Sequence, residues 1–300
     1  MGIRTTTKQI GHLLKETYKG FMDANALKLS AALSYYTIFA LPPLIIVIIS
    51  MSGLFFSADA VKGAIYGQIR GLAGQDAALQ IQQITKNVNV LSSNTLAATL
   101  GIILLLIGAT GIFSEIQGSI DIIWGMKTQD KRSMLKFVYS HLMTFAMVVS
   151  VGFLLAVGLV GSFLVGHLNE RLVIIFPQGA LVVFHILNLL VGFIVITLAF
   201  NLIFKILPAG KLAFRDCFAG ASFTAFLFLL GKFTIGIYLG TQNITSVYGA
   251  AGSIIVILCW IYYSAAILYF GAEFTKVYAH AHEREITPKS YSAASGRQND

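Results

Sequence analysis

An all-α, polytopic membrane protein with six transmembrane helices and both termini in the cytoplasm is the fold class this sequence predicts, and three observations predict it. Of 300 residues, 56% are hydrophobic and 11% charged, with a mean hydropathy of +0.78, a composition unsuited to a water-soluble chain. The charges leave uncharged runs at 29–58, 87–114, 137–169, 172–204, 217–231 and 233–272, and a helix needs about 20 apolar residues to cross about 30 Å of hydrocarbon. Lysine and arginine are distributed unevenly among the segments joining those runs, as they are when basic residues resist translocation. A large soluble domain is excluded. The runs also lack the dyad alternation of barrel strands, so the helix is the spanning unit.

The elements follow in order. Residues 1–27 form a cytoplasmic amphipathic segment: Ile10, Leu13, Leu14, Tyr18 and Phe21 recur at helical spacing with Lys8, Lys15 and Lys19 between them. Such a helix suits the surface of an anionic leaflet, and it equally suits a basic topology anchor with no further role. A six-helix membrane domain then occupies 28–279, with spans near 28–56, 95–124, 137–166, 178–207, 215–239 and 248–278. Its first loop, 57–94, carries Ile81, Ile84, Val88 and Leu91 at helical spacing, which predicts a partly helical extracytoplasmic cap. Residues 280–300 read as a flexible cytoplasmic tail. No short apolar core with a small-residue cleavage site precedes the first span, so no cleaved signal peptide is expected.

Orientation comes from the basic residues. With both termini inside, 16 of the 21 lysines and arginines lie on the cytoplasmic side, counting those at the cytoplasmic ends of spans, and Lys232 alone lies in the interior of a span. The net charge of +8 is therefore a positive-inside signature. It is unaccompanied by a nucleic-acid-binding module with interleaved aromatics, so no nucleic acid is expected as a partner.

A charge at mid-bilayer costs about 2.5–3.5 kcal/mol on the most forgiving scale, which singles out Glu115, Asp121, Lys232 and Glu273. On the second span Ser114, Gln117 and Asp121 share one face. That stripe reads as the lining of a substrate path or as interhelical hydrogen bonding, and both readings stay open. His185 and Asn188, one turn apart in the fourth span, line a cavity together or are separate structural groups. In the first span Pro42 and Pro43 interrupt an apolar helix two turns beyond Tyr35 and Tyr36, the pattern of a hinge or of a static kink. The glycines in GxxxG spacing at 236 and 240, and those at 249 and 252, point to close helix approach.

No catalytic constellation, metal-spaced ligand set or cofactor motif is present; Cys217 and Cys259 read as reduced packing residues. The HxHE cluster of His280, His282 and Glu283 reads as a solvated helix end, because its two histidines point to different faces.

The motifs SAALSYYTIFALPPLIIVIISMSG, ATGIFSEIQGSIDIIWG, ILPAGKLAFRDCFAGASFTAFLFLLGKFTIGIYLG and YGAAGSIIVILCWIYYSAAILYFGAEFTKVY cover most of the chain up to about Arg284. They resemble the YihY/BrkB family of bacterial inner-membrane proteins, also called ribonuclease BN-like. The resemblance implies a six-helix, multi-pass protein of the bacterial plasma membrane with an envelope role, and carries over Tyr35, Tyr36, Pro42, Pro43, Glu115, Trp124, Lys232, Tyr248, Gly249, Gly252, Tyr262, Tyr263 and Glu273. A ribonuclease would need clustered metal ligands in an aqueous site, which the sequence lacks. The function expected is a transporter or flippase-like exporter of a lipid or other amphipathic molecule, not an enzyme; a non-transporting envelope scaffold or assembly factor is the alternative. Membrane lipids, an unknown small or amphipathic substrate and a second copy of the chain are the partners this reading admits.

Overall fold

The computed structural model of the chain describes residues 7–52, 95–127, 180–241 and 251–288, together with Gly63, Tyr66, Gly67, Leu79, Gln82, Ser150, Leu154, Ala293 and Ala294. Among the described residues six long helices dominate: α1 (Thr7–Asp23), α2 (Ala26–Ser52), α3 (Thr95–Ile123), α4 (Ala180–Ile206), α5 (Phe214–Thr241) and α6 (Ala251–Ala281). Four two-residue strands join them, β1 (Met126–Lys127), β2 (Gly210–Lys211), β3 (Thr287–Pro288) and β4 (Ala293–Ala294).

Helices α2 to α6 hold 27 to 31 residues each, about 40 Å at 1.5 Å per residue. Ile186–Ile206, Phe214–Lys232 and Ile254–Ala281 are long and apolar enough to cross a bilayer, and Ala26–Leu41 is a shorter apolar stretch. Five of the six predicted spans coincide with α2 to α6. The span expected at 137–166 lies outside the described residues except for Ser150 and Leu154, both helical. Of the 57–94 loop, Leu79 and Gln82 are helical, while Ile81, Ile84, Val88 and Leu91 lie outside the described residues.

Contrary to the interruption expected at Pro42 and Pro43, α2 runs unbroken through both. Each proline removes one backbone donor, so the carbonyls of Ile38 and Phe39 lose their partners within the helix. Local turns end the neighbouring helices. Gly125 has φ +70° and donates to the Ile122 carbonyl at 3.0 Å, closing α3 in the left-handed conformation that glycine adopts freely. Asn25, with φ 52°, occupies the same region between α1 and α2.

The chain forms two compact units. The first comprises 1–24, 117–229 and 268–300; the second comprises 25–116 and 230–267. In the first, the later part of α6 is central. Phe21 of α1 meets Phe270 edge-on at 5.5 Å between ring centroids, and Phe223 of α5 stacks on Phe274 at 4.0 Å. Helices α5 and α6 lock antiparallel through matched pairs: a Cβ on Gly220 would overlap Thr275, and a Cβ on Gly271 would overlap Thr224. Each threonine hydroxyl donates to the carbonyl of the glycine one turn before it on its own helix, Thr224 to Gly220 and Thr275 to Gly271, both at 2.7 Å. Close helix approach thus occurs at Gly220 and Gly271, two glycines the sequence reading did not single out. The side-chain surroundings of Gly236, Gly240, Gly249 and Gly252 lie outside the described residues.

Helix α1 divides its apolar residues between two faces. Leu13, Thr17 and Phe21 are buried, while Ile10, Leu14, Tyr18 and Met22 form an exposed stripe at four-residue intervals. A single apolar face was expected, but Leu13 and Phe21 are held by protein packing rather than left for a bilayer.

In the second unit, α2 and α3 pack through small residues. A Cβ on Gly108 would lie 3.0 Å from that of Ala40, and one on Gly111 would lie 3.5 Å from the Tyr36 ring. Gly231 of α5 likewise accommodates the ring of Tyr263 on α6.

Candidate functional site

Two of the four charged groups singled out by the sequence, Asp121 and Glu273, lie in the first unit, around the C-terminal end of α3. The last carbonyls of a helix have no partner within it and carry the negative end of its dipole. Lys276 of α6 meets this need, donating from Nζ to the Ile123 carbonyl at 2.7 Å. A second bond runs the other way, from Trp124 Nε1 to the Ala272 carbonyl at 3.0 Å. These two bonds stitch the end of α3 to α6.

Lys276 also lies 3.0 Å from both carboxylate oxygens of Glu273, one helical turn away. Glu273 is 2% exposed, whereas the Lys276 side chain is 24% exposed, so the carboxylate is the enclosed partner and the ammonium reaches the surface. Helix α1 closes over the carboxylate at Gly20, where any Cβ would overlap it. Asp121, 1% exposed, accepts the backbone N–H of Ala209 through Oδ1 at 2.7 Å, a charge-assisted bond that ties the segment after α4 to α3.

A third buried carboxylate was missed by sequence reasoning. Asp216, fully buried in the first turn of α5, pairs with Arg284 at 2.5 Å. An acid in a helix's first turn complements its dipole, and that signal was legible; the distant arginine was not. Arg284 belongs to the stretch expected to be a free tail. Instead that stretch is tied down: β3 pairs antiparallel with β2, and β4 with β1.

The remaining expected residues are placed as follows. Gln117 is half-buried in the first unit and Glu115 half-buried in the second. Lys232, expected to be buried, is exposed, because its neighbour Gly231 takes the inward position against Tyr263. Asn188 is exposed too, which removes it from an internal cavity shared with His185; the His185 side chain lies outside the described residues, as do those of Pro42 and Pro43. Tyr35 and Tyr36 are 62% and 45% exposed and meet edge-on at 6.1 Å. Cys217 is buried and Cys259 exposed, and neither is in a disulfide. Among the described residues no group of three or more His, Cys, Asp or Glu is placed to hold a metal ion.

A family profile described as "Virulence factor BrkB" matches residues 17–295, a range that includes every group in this cluster. The chain belongs to that family. Its similarity extends to proteins named UPF0761 membrane protein. One, from Saccharophagus degradans, is 26% identical over 291 residues, covering 97% of this chain and 63% of that protein. Another, from Mannheimia succiniciproducens, is 27% identical over 283 residues, covering 91% and 92%. A third, from Psychromonas ingrahamii, is 28% identical over 250 residues, covering 81% and 79%. The chain therefore spans less than two thirds of the Saccharophagus relative's length. No solved structure matches it. Family membership, relatives named as membrane proteins and several helices apolar enough to span establish a multi-pass bacterial membrane protein.

Proposed function

We propose that this protein is a transporter of the flippase or exporter type that moves a lipid or another amphipathic molecule across the bacterial inner membrane. It would have six spans, both termini in the cytoplasm and no enzymatic role. The observation that carries the reading is the Glu273–Lys276 pair, an enclosed carboxylate and its ammonium partner within the apolar helix α6. Ionisable groups are costly in membrane helices and are retained there chiefly along transport paths and proton relays. The absence of a Walker motif from the sequence points to an ion gradient, a partner or downhill movement as the energy source.

The test is reconstitution into vesicles carrying a fluorescent phospholipid, with an impermeant quencher reporting movement between leaflets. The wild-type chain should accelerate exchange over protein-free vesicles, and Glu273→Gln should slow it at least tenfold while remaining folded. Equal rates with and without protein reject transport; an undiminished Glu273→Gln rate rejects the role of the pair. A scaffold reading is favoured by a different observation, the crossed bonds between Trp124 and Ala272 and between Lys276 and Ile123, which fix α3 on α6. It predicts binding partners and no exchange.

A further inference from the structure

The surface of α1 divides into four rows of residues spaced four apart. Leu13, Thr17 and Phe21 are buried within the first unit, where Phe21 meets Phe270. The next row is Ile10, Leu14, Tyr18 and Met22, exposed by 46%, 39%, 58% and 42%. Beyond it lies the row that carries Lys15 and Lys19 and ends in Asp23, all exposed. The fourth holds His12, Glu16 and Gly20, and it turns back to the protein where Gly20 abuts the Glu273 carboxylate. The open side of α1 is therefore an apolar ridge about 18 Å long, edged by two lysines, with Glu16 on the side away from it.

This ridge is not the lipid-facing side of a span. Helix α1 is 17 residues long and rich in polar groups, too short and too polar to cross a bilayer, so without a partner its apolar row would meet water. Only Ala24 and Asn25 separate it from the apolar helix α2, a link that reaches no more than about 7 Å. The lipid in which α2 sits is thus within reach of the row. The same composition recurs in the first turns of α5, where Phe214 and Phe218 are exposed and stack at 6.2 Å, with Lys211 and Arg215 exposed beside them in the chain. Both elements meet α6 at one level, since Gly20 abuts Glu273 and Gly220 abuts Thr275. Aromatic and basic side chains together mark a membrane–water interface, and lysines select a lipid surface that carries negative charge.

We propose that α1 is an interfacial helix that docks on the anionic lipid surface where α2 enters the membrane, with Ile10, Leu14, Tyr18 and Met22 inserted below the headgroups and Lys15 and Lys19 reaching the phosphates. Tyr18 suits that depth, since its ring is apolar and its hydroxyl stays wet. The sequence left α1 as either a surface helix or a plain basic anchor. Geometry separates the two, because an anchor that acts by charge alone has no use for an exposed apolar row. The proposal concerns how the protein seats in its membrane, and goes beyond the transport reading: it holds or fails whether or not lipid crosses.

The test uses the full chain reconstituted into vesicles, with a nitroxide at Leu14→Cys, Tyr18→Cys or Glu16→Cys in a Cys259→Ala background, Cys217 being buried. None of the three labelled positions is buried, so each variant should keep the melting temperature of the parent. Collision rates with oxygen, which concentrates in lipid, and with a water-soluble nickel chelate report what surrounds each label. In dioleoyl phosphatidylcholine mixed equally with anionic dioleoyl phosphatidylglycerol, the oxygen-to-nickel ratio at Leu14→Cys and Tyr18→Cys should exceed that at Glu16→Cys severalfold. Lys15→Gln and Lys19→Gln should each lower the ratio of lipid-inserted to water-exposed label about fivefold, and phosphatidylcholine alone should have the effect of both together. Equal oxygen-to-nickel ratios at the three positions overturn the proposal and leave α1 a plain anchor. Insertion indifferent to both lysines and to lipid charge overturns it as well. So does spin–spin broadening at Leu14→Cys and Tyr18→Cys that fades on dilution with unlabelled protein, which would assign the row to a second copy.

Discussion

The carboxylate of Glu273 occupies the space that a side chain on Gly20 would fill. Glu273 is held from the other side by Lys276, bonded at 3.0 Å to both oxygens, so it has nowhere to retreat without breaking that pair. Gly20→Ala should therefore destabilise the protein by about 1–3 kcal/mol, the usual cost of overpacking. Thermal denaturation in detergent measures it. Combined with Glu273→Ala, the loss should fall short of the sum of the single effects, since the clash partner is gone.

Lys276→Met should cost more than Glu273→Gln. Removing the ammonium strands an enclosed carboxylate and also uncaps the Ile123 carbonyl, a change worth about 3 kcal/mol by analogy with broken buried pairs. The glutamine removes the charge along with the attraction and keeps hydrogen-bonding capacity, so about 1 kcal/mol is expected. Melting temperatures ranked in the reverse order would contradict the assignment of Glu273 as the enclosed partner.

Glycines in this chain should separate into two classes. Gly220→Ala and Gly271→Ala drive a methyl into Thr275 and Thr224 across the α5–α6 contact and should each cost about 1–3 kcal/mol. Gly118 and Gly192 have nothing within 4 Å of the same position. Alanine there should be neutral or stabilise by up to about 1 kcal/mol through helix propensity. Unfolding midpoints of the four variants, measured under one condition, decide the matter.

The Asp216–Arg284 pair makes a proteolysis prediction. Arg284→Ala leaves the fully buried Asp216 carboxylate without its cation, which should loosen the β2–β3 pairing and speed tryptic cleavage at Lys211 of β2 severalfold. Asp216→Asn, which needs no cation, should restore slow cleavage in the double variant. Peptide mass spectrometry over a digestion time course reads both.

Much of this architecture was legible in the sequence because lipid imposes a simple rule: a span must be apolar for about 20 residues, and its ends must be basic on one side. Helices α2 to α6 follow from that rule. It also picked out Asp121 and Glu273 as exceptional, and both are buried. Pairings between distant segments were not legible. Nothing local to Gly20 announces Glu273, and nothing near Asp216 announces Arg284. Lys232 was misjudged because a hydropathy window has no faces: the residue next to it turns inward and it turns out.

The strands β3 and β4, near the end of the chain, close onto β2 and β1, which were made some 75 and 165 residues earlier. During synthesis the segments carrying β1 and β2 therefore wait until residues 287–294 have been made. At a typical rate of about 5–20 residues per second those intervals are about 4–15 s for β2 and about 8–33 s for β1. A chain cut short before residue 284 keeps the six described long helices and has neither pairing, so the two fastenings are made by residues that come after the helices they secure.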